Sequence, residues 1–156
     1  MRAVGFIWVG KPKEKFYREG CEHYWKKLSR FFKLEQSVIK DGPGKLPAAQ
    51  RNEVEGKGII SKANPSDMLI ILDEFGERLT SRKLAAHLQQ WTDDPNLRPT
   101  FVIGGPFGLS DEVKNAARKT VRLSDMTLPH ELARLVLLEQ IYRAGTIMRN
   151  MPYHHD

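Results

Sequence analysis

The chain has 156 residues, 40% hydrophobic and 28% charged, with 25 lysines and arginines against 19 aspartates and glutamates for a formal charge of +6. One compact domain over residues 1–156 suits that length, its core needing no disulfide or structural metal, and the composition excludes fibrous and disordered classes. The basic excess favours a polyanionic partner.

Cys21 is the single cysteine. It removes an internal disulfide framework and a thiolate zinc site built by one chain, and it suits a reducing cytoplasm. The first apolar run ends by Gly10 and passes into Lys11-Pro12-Lys13 with no small-residue cleavage site, unlike a signal peptide. Nowhere do about 18 apolar residues run together, so no membrane span is expected.

Ala3 to Val9 is a short apolar run that predicts a buried strand. From Glu14 to Phe32 the period changes: Tyr17, Cys21, Tyr24, Leu28 and Phe31 recur at steps of three and four, while Lys26, Lys27, Arg30 and Lys33 take the other side of an amphipathic helix. Lys11 to Lys33 holds eight basic and three acidic residues, so +5 of the net charge sits on this element. Leu34 to Ile39 reads as a second strand, followed by the turn Asp41-Gly42-Pro43-Gly44. A polar helix is predicted over Ala48 to Lys62. Met68 to Leu72 is a continuous apolar run, the mark of a strand covered on both faces. Ser81 to Trp91 gives a helix with Leu84, Leu88 and Trp91 inward and Ser81 as N-cap. Phe101 to Ile103 is a buried strand, Ser110-Asp111-Glu112 opens a short helix, and Thr120 to Leu123 is a fifth strand. Pro129 to Arg149 is a long final helix with proline at its start.

Strands alternating with helices predict an α/β fold with a mainly parallel sheet, helices on both faces and ligands at the carboxyl ends of the strands. The last helix is apolar over more than one stripe, through Leu132, Leu135, Val136, Leu137, Leu138, Ile141, Tyr142, Ala144, Ile147 and Met148. One face would pack on the sheet and another on a second subunit.

Three segments follow buried strands and would share one sheet edge: Leu72-Asp73-Glu74-Phe75-Gly76, Ile103-Gly104-Gly105-Pro106-Phe107-Gly108-Leu109, and Leu123-Ser124-Asp125-Met126-Thr127-Leu128-Pro129-His130. Convergence of this kind makes a cofactor pocket. The glycines match neither the dinucleotide fingerprint nor the P-loop, and Arg134 takes the second ligand position of what would otherwise be a zinc helix starting at His130, so a metal site is not expected. Glu139 and Arg143 are i,i+4 partners, an arrangement common on exposed helices. The tail Met151-Pro152-Tyr153-His154-His155-Asp156 is short enough to be disordered, yet it carries a stacking surface and an acid-base group suited to a nucleobase. Cys21 reads as a structural thiol on an apolar stripe.

Six ordered blocks resemble the ribosomal RNA large subunit methyltransferase H family, of the SPOUT class. They are Leu72-Asp73, Ile103-Gly104-Gly105-Pro106 with Gly108-Leu109, Leu123-Ser124, Thr127-Leu128-Pro129-His130, Glu139-Gln140 with Tyr142-Arg143-Ala144, and Pro152-Tyr153-His154. The resemblance spans the chain and implies an α/β domain with a deep C-terminal trefoil knot, acting as a cytoplasmic homodimer without metal. It also implies S-adenosylmethionine among Leu72, Asp73, Gly104, Gly105, Gly108 and the segment Leu123, Ser124, Asp125, Met126, Thr127, Leu128 and Pro129. The implied reaction is methylation of N3 of a pseudouridine in large-subunit ribosomal RNA, with the 70S ribosome as partner.

N3 must lose its proton. His154 is the first candidate to assist and Glu139 the second, with Tyr153 to stack the base and Arg143 to hold phosphate or cofactor carboxylate. Lys26, Lys27, Arg30, His130 and His155 are candidate RNA contacts; at His155 the family often carries Arg or Lys. The alternatives are another SPOUT enzyme, acting on transfer RNA or on a ribose hydroxyl, and a non-catalytic RNA-binding protein built on the basic first helix.

Overall fold

A computed structural model describes every residue from Met1 to Asp156. The elements are β1 (Ala3–Val9), α1 (Lys15–Leu28), β2 (Lys33–Ile39), α2 (Ala48–Lys62), β3 (Asp67–Arg78), α3 (Ser81–Asp93), β4 (Arg98–Ile103), α4 (Asp111–Ala116), β5 (Lys119–Arg122) and α5 (His130–Met148). The five strands form one sheet in the order β2-β1-β4-β3-β5, and every pairing is parallel.

Parallel strands need crossovers, and a constant hand puts crossovers of opposite direction on opposite faces. The moves toward β2, from β1 to β2 and from β3 to β4, carry α1 and α3 over one face. The moves toward β5 carry α2 and α4 over the other. Side-chain alternation divides the core accordingly. Val4, Phe6 and Trp8 of β1 join Leu28, Leu88 and Leu138 under α1, α3 and α5. Ile7 and Val9 join Ile59 of α2 and Val113 of α4 on the far side.

The breadth of α5 has an explanation within the chain. The helix lies on the sheet between α1 and α3 and packs against both, with Leu137, Leu138, Ile141 and Ala144 all buried. Its apolar stripes meet three neighbours, so breadth alone does not require a second subunit. Arg134 of the same helix is only 5% exposed. Its guanidinium stacks 4.9 Å from the Trp8 ring centre and donates to the Val9 and Gly10 carbonyls, capping the carboxyl end of β1.

Several boundaries differ from those expected. α1 ends at Leu28 and not at Phe32: the Phe31 and Phe32 amides both donate to the Leu28 carbonyl in a tight turn that still buries Phe32. The cap of α3 is Thr80, whose hydroxyl accepts from the Lys83 amide at 3.1 Å, and not Ser81. β4 begins at Arg98, ahead of the expected Phe101, and β5 ends at Arg122, before Leu123.

β3 runs past its expected end at Leu72, because Leu72 and Glu77 both pair with Val121 and the residues between them bulge out of the sheet. Gly76 closes the bulge. A Cβ there would lie 2.5 Å from the Val121 carbonyl carbon. Gly76→Ala is therefore expected to cost about 1–3 kcal/mol of stability, typical of overpacking, read as a lower urea midpoint at unchanged slope.

Candidate active site

With all strands parallel, their carboxyl ends leave one edge, and β3 lies between β4 and β5. A cavity of about 300 Å³ opens there, floored by Leu72, Val121, Leu123 and Leu137, with Ser81, Gln140 and Arg122 as polar groups. Such a lining, apolar with few polar groups, is that of a small-molecule site. Arg122 pairs with Asp125 through Nη1 at 3.2 Å but leaves its buried Nε without a partner. That orphaned donor fits a ligand bearing a hydrogen-bond acceptor.

Of the expected cofactor residues, Leu72 and Leu123 line the cavity. The segment from Ser124 to Pro129 follows directly. Ser124 Oγ accepts from the Met126 amide at 2.9 Å to make a turn, and Met126 is 78% exposed. Asp125 anchors this segment to the end of β3 through an ion pair with Arg78. Hydrogen bonding from Arg78 outweighs the opposing desolvation and, with the charges of Arg78 and Arg122, holds the Asp125 carboxyl below its ordinary range. Thr127 is exposed, Leu128 is half-buried and Pro129 caps α5. Asp73 turns back to accept from the Phe75 amide at 3.0 Å and faces Lys114 at 3.7 Å.

The glycine loop closes on itself and is absent from the cavity lining. Gly105 and Gly108 form an antiparallel bridge, Gly108 has φ +85°, and a Cβ on Gly104 would lie 2.6 Å from the Gly108 carbonyl oxygen. α2 holds the loop from behind. Asn52 donates to the Phe107 carbonyl at 2.8 Å, and the buried Glu55, which accepts from the Gly42 amide, leaves no room for a side chain at Gly105. Glu55 escaped the sequence reading, since α2 gave only a polar pattern.

The four expected catalytic residues stand together. After α5, Asn150 adopts φ 53° and the Met151 amide donates to the Thr146 carbonyl, turning the tail back along its own chain. Glu139 Oε1 then accepts from Arg143 Nη2 at 2.7 Å, Arg143 Nε at 3.0 Å and the Tyr153 hydroxyl at 3.3 Å. Gln140 donates to the other oxygen at 2.7 Å and accepts from Ser81 at the cavity wall. Arg143 lies 4.7 Å over the Tyr153 ring and 3.3 Å from His154 Nδ1. Burial, then the Glu139 charge, pushes the Tyr153 phenol up to about 12, so it stays a donor at neutral pH.

Lys26 and Lys27 fill the last turn of α1, where cations are favoured. Lys27 Nζ lies 5.1 Å from the Tyr142 ring centre, and Tyr142 meets Tyr153 edge-on at 4.9 Å. The basic end of α1, with exposed Arg30, therefore adjoins the tail through aromatic rings. His155 is exposed on that tail. His130 stands apart at the first turn of α5, about 18 Å along the helix from Tyr142 at ~1.5 Å per residue. Burial lowers its pKa, which makes it a poor cation for phosphate and separates it from the expected RNA group. Burial likewise raises the Cys21 thiol. No group of three or more His, Cys, Asp or Glu side chains is placed to hold a metal, and no helix is long and apolar enough to cross a membrane.

Residues 3–154 match the family described as "Predicted SPOUT methyltransferase". A solved "probable methylase family protein" from Haemophilus influenzae superposes with a TM-score of 0.56 at 11% identity, over 98% of this chain and 70% of its own. The chain belongs to the SPOUT methyltransferase family, and within that class to the group of proteins named ribosomal RNA large subunit methyltransferase H. It is 62% identical to the Maridesulfovibrio salexigens protein of that name, over 99% of each chain. It is 47% identical to the one from Oleidesulfovibrio alaskensis, over 99% of this chain and 100% of the other.

Replacing the carboxylate beside Tyr153 removes a negative charge that disfavours phenolate. In Glu139→Gln the Tyr153 phenol is therefore expected to titrate below its value of about 12, with burial preventing a full return to the ordinary value. Tyrosinate absorbance against pH, compared with Tyr153→Phe, measures this.

Proposed function

We propose that this protein transfers a methyl group from S-adenosylmethionine to N3 of a pseudouridine in large-subunit ribosomal RNA, as a cytoplasmic homodimer acting on the assembled 70S ribosome. The observation that carries the reading is the Glu139, Arg143, Tyr153 and His154 cluster, joined by Ser81 and Gln140 to the wall of the cavity. The names of the close relatives support a ribosomal RNA substrate. Family membership supplies the inference of a homodimer and of the C-terminal trefoil knot.

Leu72, Asp73 and the Leu123–Pro129 segment are assigned to the cofactor, and Gly104, Gly105 and Gly108 to the shape of the neighbouring wall. When bound, S-adenosylmethionine supplies an electrophilic methyl on a sulfonium. The chain must then align the base, exclude water and take the N3 proton. Glu139 is a poor choice for that last task, since four donors already occupy its carboxylate oxygens. Its role is to hold Arg143 and Tyr153. Tyr153 offers a ring face and a protonated hydroxyl, Arg143 a guanidinium for phosphate or a cofactor carboxylate, and His154 the acceptor for the proton.

Radiolabelled methyl transfer to methyl-deficient 70S ribosomes and to free RNA, with mapping of the product, tests the reading. Label on N3 of a pseudouridine is expected. Label on transfer RNA or on a ribose hydroxyl would make this another SPOUT enzyme, and RNA binding with no cofactor binding would make it a binding module. His154→Ala is expected to slow single-turnover methylation by about 10²-fold or more, the range of a general base, with cofactor affinity retained. Replacing Lys26, Lys27 and Arg30 together by Gln should reduce the slope of log affinity against log salt by roughly 2, at ~0.7 per phosphate contact.

A further inference from the structure

Arg82 and Asp156 belong to no motif, and the reaction as described leaves both without a task. The structure places them around His154. Asp156 Oδ1 lies 3.0 Å from His154 Nε2, and Arg82 grips both Asp156 oxygens, with Nε at 2.7 and 2.8 Å and Nη2 at 2.7 Å. On its other side the imidazole presents Nδ1 to Arg143 Nη1 at 3.3 Å.

Each neighbour of the ring can play only one part. A guanidinium donates and never accepts, so Nδ1 must carry a lone pair. An ionised carboxylate accepts and never donates, so Nε2 must carry the hydrogen. Asp156 is ionised at working pH, because hydrogen bonding from Arg82, and next from His154, holds its carboxyl down at about 2. The helix supports the arrangement as well. α3 opens with Ser81-Arg82-Lys83 and has no acid in its first turn, and a carboxylate brought there by the tail offsets both the cations and the helix dipole.

We infer that Asp156, held by Arg82, is a positioning residue that fixes His154 as the Nε2–H tautomer and leaves Nδ1 as the atom that receives the N3 proton. The inference rests on the proton-accepting role assigned to His154 above. In the step, the N3–H bond breaks with its electron pair staying on N3, and the Nδ1–H bond forms. The imidazolium so made has Asp156 against its other nitrogen, in the manner of the orienting carboxylate of a hydrolase triad. Because Nδ1 first accepts from Arg143, it opens only when a phosphate or an imide oxygen draws that guanidinium away, which ties basicity to the presence of RNA. Ser81, one residue before Arg82, lines the cavity and donates to Gln140, so one helical turn holds both the tail and the cofactor wall.

The test uses full-length Asp156→Asn and Arg82→Gln with methyl-deficient ribosomes. Both variants are expected to lose single-turnover rate on the order of tenfold, part of the 10²–10⁴ a placed base supplies. KM for ribosomes and calorimetric affinity for S-adenosylmethionine should stay unchanged, which excludes misfolding. The nitrogen-15 signals of His154 should move from the Nε2–H pattern to a tautomer mixture, and Asp156→Glu should restore both pattern and rate. Wild-type rate and tautomer in both variants, with His154→Ala slow, would overturn the latch and leave the proposed function standing. Wild-type rate in His154→Ala would overturn the role of His154 itself.

Discussion

Every strand of the sheet runs the same way, and the rest of the structure follows from that constraint. Parallel strands cannot be joined by hairpins, so each needs a crossover, and the constant hand of crossovers distributes α1 and α3 on one face and α2 and α4 on the other. The same constraint delivers every strand's carboxyl end to a single edge, where unpaired backbone and irregular chain are tolerated because they line a cavity. A small chain thereby gathers segments far apart in sequence, from β3, β5, α3 and α5, into one site.

α5 converts that edge into a reaction site. Lying between α1 and α3, it is fixed along its length by core contacts and by the Arg134 cap on β1, so Glu139 and Gln140 have little freedom to drift from the cavity wall. Glu139 then acts as a hub. One carboxylate collects Arg143, Gln140 and the Tyr153 hydroxyl, and charge-assisted bonds of this kind are about twice as strong as neutral ones. The tail after Asn150, which has no regular structure of its own, gains its place from that hub and from Arg82.

Where the structure departs from the pattern in the sequence, a specific physical reason can be given. Phe31 and Phe32 continued the apolar period of α1, but period reports burial and not dihedral angle, and both rings pack from a turn. Thr80 and Ser81 are adjacent hydroxyls with equal capping chemistry, and the extended backbone at Thr80 decides between them. The extension of β3 depends on Gly76 meeting the backbone of Val121, a contact across 45 positions that no local window contains. The glycine loop reads as a ligand cradle from its composition, yet its glycines serve a self-closing turn and the approach of Glu55.

Sequence by itself determined the alternation of buried strands and amphipathic helices, the parallel sheet that follows, the ends of α2, and the residue types around the site, because these rest on local periodicity and side-chain chemistry. It also carried the ordered blocks by which the chain belongs to its family. Only the tertiary structure decided that Leu137, Leu138, Ile141 and Ala144 of α5 are buried within the chain, that His130 lies apart from the basic end of α1, and that Glu139 and Arg143 form a hub instead of a solvated helix pair. The places of Arg82 and Asp156 were decided there too. An i,i+4 pair looks the same in sequence whether it faces water or a folded-back tail, and the tail that turns back after Asn150 is held by Arg82, 74 positions away along the chain.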